Sequence, residues 1–111
     1  MRKTIDGIET DYTDCGEGPF IFLLHGWGSK KELFAPIIEL LSAKYRVVAP
    51  DLPGFGKTQE PPEEWDLASY TDFVIRFIES FGAKRVILLG HSFGGRVIIK
   101  MASRGALPFT V

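Results

Sequence analysis

Three short apolar runs recur along the chain, at residues 20–24, 45–49 and 85–89. The first is apolar at every position, as expected of a strand buried on both faces of a sheet, and the other two are apolar at most positions, as in central strands. Each run is followed by turn residues, so the three runs predict three central strands. Before them, Asp6-Gly7 separates two β-prone stretches, 4–5 and 8–12, and an Asp-Gly pair in that position predicts a hairpin.

Between these runs the apolar residues recur at helical spacing. This spacing predicts a short turn over 30–34, a main helix over 36–43, and a second helix over 67–81. Ser29 and Glu32 have the spacing of a capping box, and Asp66 can cap the second helix. A third helix precedes Gly105, and residues 107–111 trail off without a predicted element.

The order of predicted elements is hairpin, strand, helix, strand, helix, strand, helix. Strands that alternate with helices form parallel sheets joined by right-handed crossovers. The sequence therefore predicts an α/β fold with a three-layer αβα architecture, in which a mostly parallel sheet carries an N-terminal antiparallel hairpin.

Composition narrows the classes of function. The chain has 111 residues, which suits one small domain, and its net charge of −1 argues against a nucleic-acid or anionic-membrane partner. Cys15 is the only cysteine, and no cluster of Cys and His suggests a metal site. No apolar leader opens the sequence, so a cytoplasmic location is expected.

The glycine-rich stretch after the third apolar run carries the strongest chemical signal. Residues 90–94 read Gly-His-Ser-Phe-Gly and match G-x-S-x-G, the pattern of a nucleophile elbow. A sharp strand-to-helix turn leaves no room for side chains at Gly90 and Gly94, and it exposes the hydroxyl of Ser92. The turn also directs the N–H of Phe93 toward a developing oxyanion. The alternative is an ordinary Gly-rich loop that holds an inert serine.

A second loop, His25-Gly26-Trp27-Gly28, follows the first apolar run and is predicted to lie beside the elbow. Its glycines allow a backbone N–H, that of Trp27, to point at a carbonyl next to Ser92. His25 is expected to tie down the loop rather than to act as a base. His91 adjoins Ser92, but neighbouring side chains on such a turn diverge.

Residues 56–58 read Gly-Lys-Thr and suggest a rival, nucleotide-binding interpretation. A P-loop requires glycine where Asp51 stands and a helix directly after Thr58. Prolines and acidic residues follow Thr58 instead, which disfavours the rival.

Taken in order, three motifs resemble the N-terminal part of an α/β-hydrolase. They are 25–28 (His-Gly-Trp-Gly), 51–56 (Asp-Leu-Pro-Gly-Phe-Gly) and 90–95 (Gly-His-Ser-Phe-Gly-Gly). The resemblance implies that Ser92 is the nucleophile, that Trp27 and Phe93 supply oxyanion N–H groups, and that no metal or organic cofactor takes part. Within the family, the chain is weakly similar to pimeloyl-carrier-protein methyl ester esterases. The remaining site-loop residues are His25, Gly26, Gly28, Gly90, His91 and Gly94.

One departure from the family pattern changes the expectation. The family's triad runs Ser, then Asp or Glu, then His, yet no acidic residue or histidine follows Ser92. Residues 1–111 are therefore expected to be the N-terminal portion of one α/β-hydrolase domain, inactive alone, whose parent cleaves small carboxylic esters. The alternatives are a non-catalytic module that needs a complementing chain, and a carbon–carbon bond hydrolase or perhydrolase of the same fold. The strand 85–89 should form an open edge, so the chain is expected to self-associate or to need a complementing chain.

Overall fold

The computed structural model describes residues 1–111 and contains five strands, one 3-10 helix and three α-helices. The strands are β1 (Arg2–Ile5), β2 (Ile8–Cys15), β3 (Phe20–Leu24), β4 (Arg46–Pro50) and β5 (Val86–Gly90). The 3-10 helix spans Lys31–Phe34, and the α-helices are α1 (Ala35–Leu41), α2 (Leu67–Glu79) and α3 (Phe93–Ala102).

The strands form one sheet in the order β1-β2-β4-β3-β5. β3 pairs in parallel with β4 on one side and with β5 on the other, whereas β1 and β2 pair antiparallel. β2 also runs antiparallel to β4, which joins the hairpin to the parallel strands. This topology confirms the predicted α/β fold and its N-terminal hairpin. The hairpin turns at Asp6 and Gly7, both with positive φ.

Helices pack on both faces of the sheet, although Ile87 and Leu89 of β5 stay exposed, and alternate residues of β3 separate the two cores. Ile21 and Leu23 pack in one core with Phe34 of the 3-10 helix and Ile38 of α1. Phe22 and Leu24 face the opposite way into a larger core that is built mainly from α2 and α3. Because β3 is buried on both sides, every one of its positions except the first is fully enclosed, as its continuous apolar run predicts.

The segment before α1 differs from the prediction in its details. Pro36 lies in the first turn of α1, as expected, but the helix ends at Leu41 rather than at residue 43. The predicted capping box does not form, because the 3-10 helix begins after Lys30 without a side-chain cap. Leu33 and Leu40 are exposed, so the apolar face of this segment is narrower than its periodicity indicates.

The residues after α3 also correct the prediction, which treated them as structureless. Phe109 is buried in the larger core, and Thr110 forms an isolated parallel bridge with Arg85. The N–H of Val86 donates to Thr110 O, and the N–H of Thr110 donates to Lys84 O, both at 2.8 Å. The chain thus begins a further parallel pairing at the start of β5 and leaves the rest of that edge open.

Candidate functional site

Ser92 lies in the turn between β5 and α3, where its backbone takes φ 54° and ψ −114°. A positive φ is unfavourable for a residue with a Cβ, so such a conformation persists only where the surrounding structure imposes it. The Ser92 side chain is exposed and forms no hydrogen bond within the chain. The predicted strand-turn-helix context of the elbow is therefore present, with the hydroxyl free at the carboxyl edge of the sheet.

The two flanking glycines are required by close backbone contacts. A Cβ at Gly90 would lie 2.5 Å from the backbone of Gly94, and a Cβ at Gly94 would lie 2.1 Å from the carbonyl oxygen of Leu24. Real Cβ atoms do not approach backbone so closely, and these neighbours are rigid strand and helix atoms. The start of α3 thus packs directly on the end of β3, and this contact fixes the position of Ser92.

The loop after β3 lies against the same turn. A Cβ at Gly26 would be 3.1 Å from Cβ of Ser92, so glycine there lets the loop approach the serine. The backbone N–H groups of Trp27 and Phe93 donate no hydrogen bond to any group of the chain. Phe93 is the first residue of α3, where the unpaired N–H groups and the helix dipole favour negative charge. Two unpaired donors are therefore available beside Ser92.

His25 is fully buried and ties the loop to the segment after β4, as its sequence position predicts. Its Nε2 accepts the N–H of Leu52 at 2.9 Å, and its Nδ1 lies 2.8 Å from the carbonyl oxygen of Gly26. Because Nε2 acts as an acceptor, the ring proton belongs on Nδ1, which donates to that carbonyl. Burial lowers the pKa of His25 below its ordinary value of 6.5, which favours this neutral form. His91 is exposed and makes no hydrogen bond with Ser92.

A buried ionic cluster lies beneath the His25 loop, and the sequence analysis did not identify it. Nζ of Lys31 lies 2.6 Å from Asp11, 2.7 Å from Glu32 and 3.2 Å from Asp51. Burial alone would lower the pKa of Lys31, but the hydrogen bonds to these carboxylates outweigh it and raise that pKa. Burial alone would raise the pKa of Asp11, yet its hydrogen bond from Lys31 lowers it below 3.8. Lys31 and Asp11 are therefore both charged at neutral pH.

Asp51 is the completely buried carboxylate of this cluster. Its carboxylate accepts the backbone N–H of Lys31 at 2.7 Å and that of Lys57 at 2.9 Å. A Cβ at Gly56 would lie within 2.5 Å of the same carboxylate, so the glycine-rich loop wraps around it. The motif at 51–56 could have indicated this arrangement. A buried aspartate needs hydrogen-bond donors, and a loop that packs closely around it needs glycine.

The nucleotide-binding alternative does not fit this geometry. The N–H of Lys57 is engaged by Asp51, and the hydroxyl of Thr58 accepts the N–H of Asp11 at 2.9 Å. No helix begins until Leu67. The Gly-Lys-Thr sequence is thus part of a structural loop that connects to β2. No group of three or more His, Cys, Asp or Glu side chains is arranged to hold a metal ion.

An aromatic-walled groove of about 640 Å³ opens beside the turn, between Trp27 and the segment before α2. The ring of Trp27 packs on Phe93 at 5.2 Å and on Phe55 at 4.8 Å between centroids. Tyr70 packs on Phe93 as well, at 5.3 Å, and its hydroxyl donates to the carbonyl oxygen of Pro53. These contacts place the groove next to the residue that follows Ser92.

With this geometry in hand, comparison with known proteins establishes the family. Residues 21–111 match the family described as "Alpha/beta hydrolase family". The chain belongs to the alpha/beta hydrolase family. The match covers β3, β4, β5 and all three α-helices, and thus includes every loop of the candidate site.

Several curated relatives of this alpha/beta hydrolase chain are named as hydrolases, and they are of different kinds. A pimeloyl-[acyl-carrier protein] methyl ester esterase of Shewanella sp. (strain MR-7) is 40% identical over 80% of the chain and 31% of the esterase. A 2-hydroxy-6-oxo-2,4-heptadienoate hydrolase of Pseudomonas putida is 35% identical over 88% of the chain and 37% of that enzyme. A soluble epoxide hydrolase of Corynebacterium sp. (strain C12) is 31% identical over 91% of the chain and 35% of that enzyme.

Solved structures agree with this assignment. A membrane phospholipase A superposes with a TM-score of 0.90 at 31% identity, over 95% of this chain and 35% of that one. An enol-lactonase from Burkholderia xenovorans LB400 also gives 0.90, at 26% identity, over 98% and 44%. The chain spans about a third of the length of the curated relatives it matches. None of its helices is long and apolar enough to cross a membrane.

Proposed function

We propose that Ser92 is the nucleophile of a serine hydrolase that cleaves small carboxylic esters. The observation that carries this proposal is the backbone of Ser92, held at φ 54° between two glycines at which an added Cβ would lie within 2.5 Å of backbone atoms. A strained conformation maintained by its surroundings, with an exposed hydroxyl and free N–H donors nearby, is typical of an acyl-transfer site. Residues 1–111 are, in this proposal, the N-terminal portion of one α/β-hydrolase domain.

The proposed reaction uses the two loops in distinct roles. Oγ of Ser92 attacks the ester carbonyl carbon, and its proton passes to a base. The carbonyl oxygen becomes an oxyanion that accepts hydrogen bonds from the N–H groups of Trp27 and Phe93. Collapse of this intermediate expels the alcohol, which takes up the proton, and water then hydrolyses the acyl-serine to acid and free Ser92.

The base of this reaction is proposed to come from outside residues 1–111. Both ring nitrogens of His25 are engaged by the backbone, and His91 makes no hydrogen bond with Ser92. Without a base, Oγ of Ser92 keeps its proton and is a weak nucleophile. The 111-residue chain alone is therefore expected to turn over activated esters near the background rate.

The choice of esters rests on the nucleophile and on one relative. A serine at the elbow favours acyl transfer over the epoxide and haloalkane branches of the fold, which use aspartate, and the relative with 40% identity is a methyl ester esterase. Hydrolysis of a carbon–carbon bond is the second candidate, because the Pseudomonas putida relative, at 35% identity, has a dienoate substrate in its name.

The test uses the product of the complete reading frame that encodes these residues. We expect it to hydrolyse short-chain p-nitrophenyl esters, and we expect Ser92→Ala to reduce kcat by about 10³-fold or more while the fold is retained. The control is Ser103→Ala, since Ser103 caps the far end of α3. Full activity of Ser92→Ala would contradict the proposed nucleophile. Efficient cleavage of dienoates, with no cleavage of esters, would support the second candidate.

A further inference from the structure

The groove beside the turn has aromatic walls that the proposed acyl transfer does not use. Both tryptophans of the chain, Trp27 and Trp65, line it, together with Phe55 and Tyr70. Tyr70 lies between the two indoles, with ring centroids 5.9 Å from Trp27 and 5.3 Å from Trp65, in edge-on arrangements. Trp27 keeps 62% of its surface exposed although it is the largest aromatic residue beside Ser92. The groove therefore presents ring surface to whatever enters it.

The rim of the same groove is uniformly acidic. Glu60, Glu63 and Glu64 line it, and no lysine, arginine or histidine does. None of these glutamates forms an ion pair, whereas Asp6, Asp11, Asp14, Asp51 and Asp72 all do. The whole chain has a net charge of only −1, so the negative charge at this rim is a local feature.

We propose that this groove binds the alkylammonium group of a small organic cation. The faces of aromatic rings carry negative potential and attract cations, most strongly cations that are weakly hydrated. A neutral alkyl group would leave the carboxylates uncompensated, an anion would be repelled by them, and a small metal ion would gain little from the rings. An ammonium group with alkyl substituents satisfies both the walls and the rim.

The position of the groove assigns the cation to the substrate. Trp27 contributes its ring to the groove and its N–H to the proposed oxyanion site, and both Trp27 and Tyr70 pack on Phe93. A substrate that reaches both places would carry its cationic group in the groove and its ester beside Ser92. This second step rests on the proposed function, and it predicts esters with a cationic acyl or alcohol part. Binding of the cation itself does not depend on Ser92.

The binding test compares choline with 3,3-dimethyl-1-butanol, which has the same shape and no charge. Ligand-observed NMR on the Ser92→Ala protein, made from the complete reading frame, follows the single methyl resonance of each compound. We expect choline to bind about twofold to thirtyfold more tightly than the neutral alcohol, which is the range of a cation–π contribution of about 0.5–2 kcal/mol. Added salt should weaken choline binding and leave the alcohol unaffected.

Two variants assign the effect to the groove. Trp65→Leu should remove most of the preference for choline. Because Trp65 also packs on Phe73, a second variant changes only exposed groups. This triple variant, Glu60→Gln, Glu63→Gln and Glu64→Gln, should weaken choline binding and flatten its salt dependence. The matched control changes three exposed glutamates elsewhere, Glu17→Gln, Glu39→Gln and Glu79→Gln, and should bind as before.

The outcomes separate this inference from the proposed function. Equal binding of choline and the alcohol, no binding of either, or equal loss in the control variant would each overturn the groove proposal. A second measurement, on the unmutated protein, compares kcat/KM for acetylcholine and 3,3-dimethylbutyl acetate, and we expect the cationic ester to be preferred by a similar factor. Choline binding without hydrolysis of any ester would contradict the proposed function and leave the groove assignment intact. Equal hydrolysis of the two esters would overturn the substrate assignment.

Discussion

A single added Cβ atom would disturb the packing of the turn around Ser92. At Gly94 an added methyl group would meet the carbonyl oxygen of Leu24 at 2.1 Å, within the sheet itself. At Gly95, one residue further along, the nearest atom would be 3.7 Å away, which is an ordinary contact. Of these two adjacent glycines at the start of α3, only Gly94 is required by a close backbone contact.

This difference predicts opposite effects of the same substitution. We expect Gly94→Ala to lower the free energy of unfolding by about 1–3 kcal/mol, because backbone atoms of β3 must move. Gly95→Ala should leave stability unchanged or raise it by up to about 1 kcal/mol, since alanine favours the helix. Urea denaturation measures both. Equal destabilisation by the two variants would show that contact with β3 is not what requires glycine at 94.

At the same scale, the sequence predicts what depends on neighbours along the chain and misses what depends on distant ones. The elbow was predictable because its glycines, serine and flanking apolar runs are contiguous. The burial of Lys31 was not, because its partners lie at Asp11 and Asp51, on two other segments. A lysine among polar residues is usually solvated, and nothing local distinguishes this one.

At the scale of elements, the Lys31 cluster joins three parts of the fold. Asp11 belongs to β2, Lys31 begins the 3-10 helix, and Asp51 follows β4. The loop that holds Trp27 lies between β3 and this helix, so the cluster fixes one end of the loop while His25 fixes the other.

The boundaries of the helices were harder to predict than the helices themselves. α1 and α2 each end two residues earlier than their apolar periodicity indicates.

Removing the charge of Lys31 should therefore be costly. We expect Lys31→Met to lower the free energy of unfolding at pH 7 by about 3–5 kcal/mol, because Asp51 would remain buried without its cation. The exposed neighbour Lys30, which forms no ion pair, provides the matched control, and Lys30→Met should change stability little.

The stability lost in the Lys31→Met variant should also depend on pH. The folded-state pKa of Asp11 is lowered below 3.8, so its contribution to stability is complete above that value and is lost as the pH falls through the folded-state pKa. The difference in unfolding free energy between the unmutated protein and Lys31→Met should therefore shrink as the pH falls below about 3.8. A difference that stays constant from pH 7 to pH 2.5 would contradict this account of the cluster.

At the scale of the whole molecule, the two edges of the sheet differ. β1 is a short edge strand of a hairpin, whereas β5 is a parallel strand whose outer side is paired only near its start, by Thr110. Ile87 and Leu89 of β5 are 48% and 37% exposed, whereas the 3-10 helix and α1 pack over β3 and β4. Apolar periodicity predicted the buried strand, but it could not predict how much cover the strand receives within 111 residues.

The open side of β5 predicts self-association of the 111-residue chain. Unpaired N–H and C=O groups flanked by apolar side chains form a template for strand pairing with a second copy. We expect sedimentation velocity at micromolar concentrations to detect dimers or larger species. Ile87→Lys should shift the distribution toward monomer, because a charge on the edge disfavours pairing. Leu40→Lys, which places the same charge on an apolar residue 79% exposed on α1, should not. A compact monomer over a wide concentration range, or an equal effect of the two lysines, would exclude the β5 edge as the site of association.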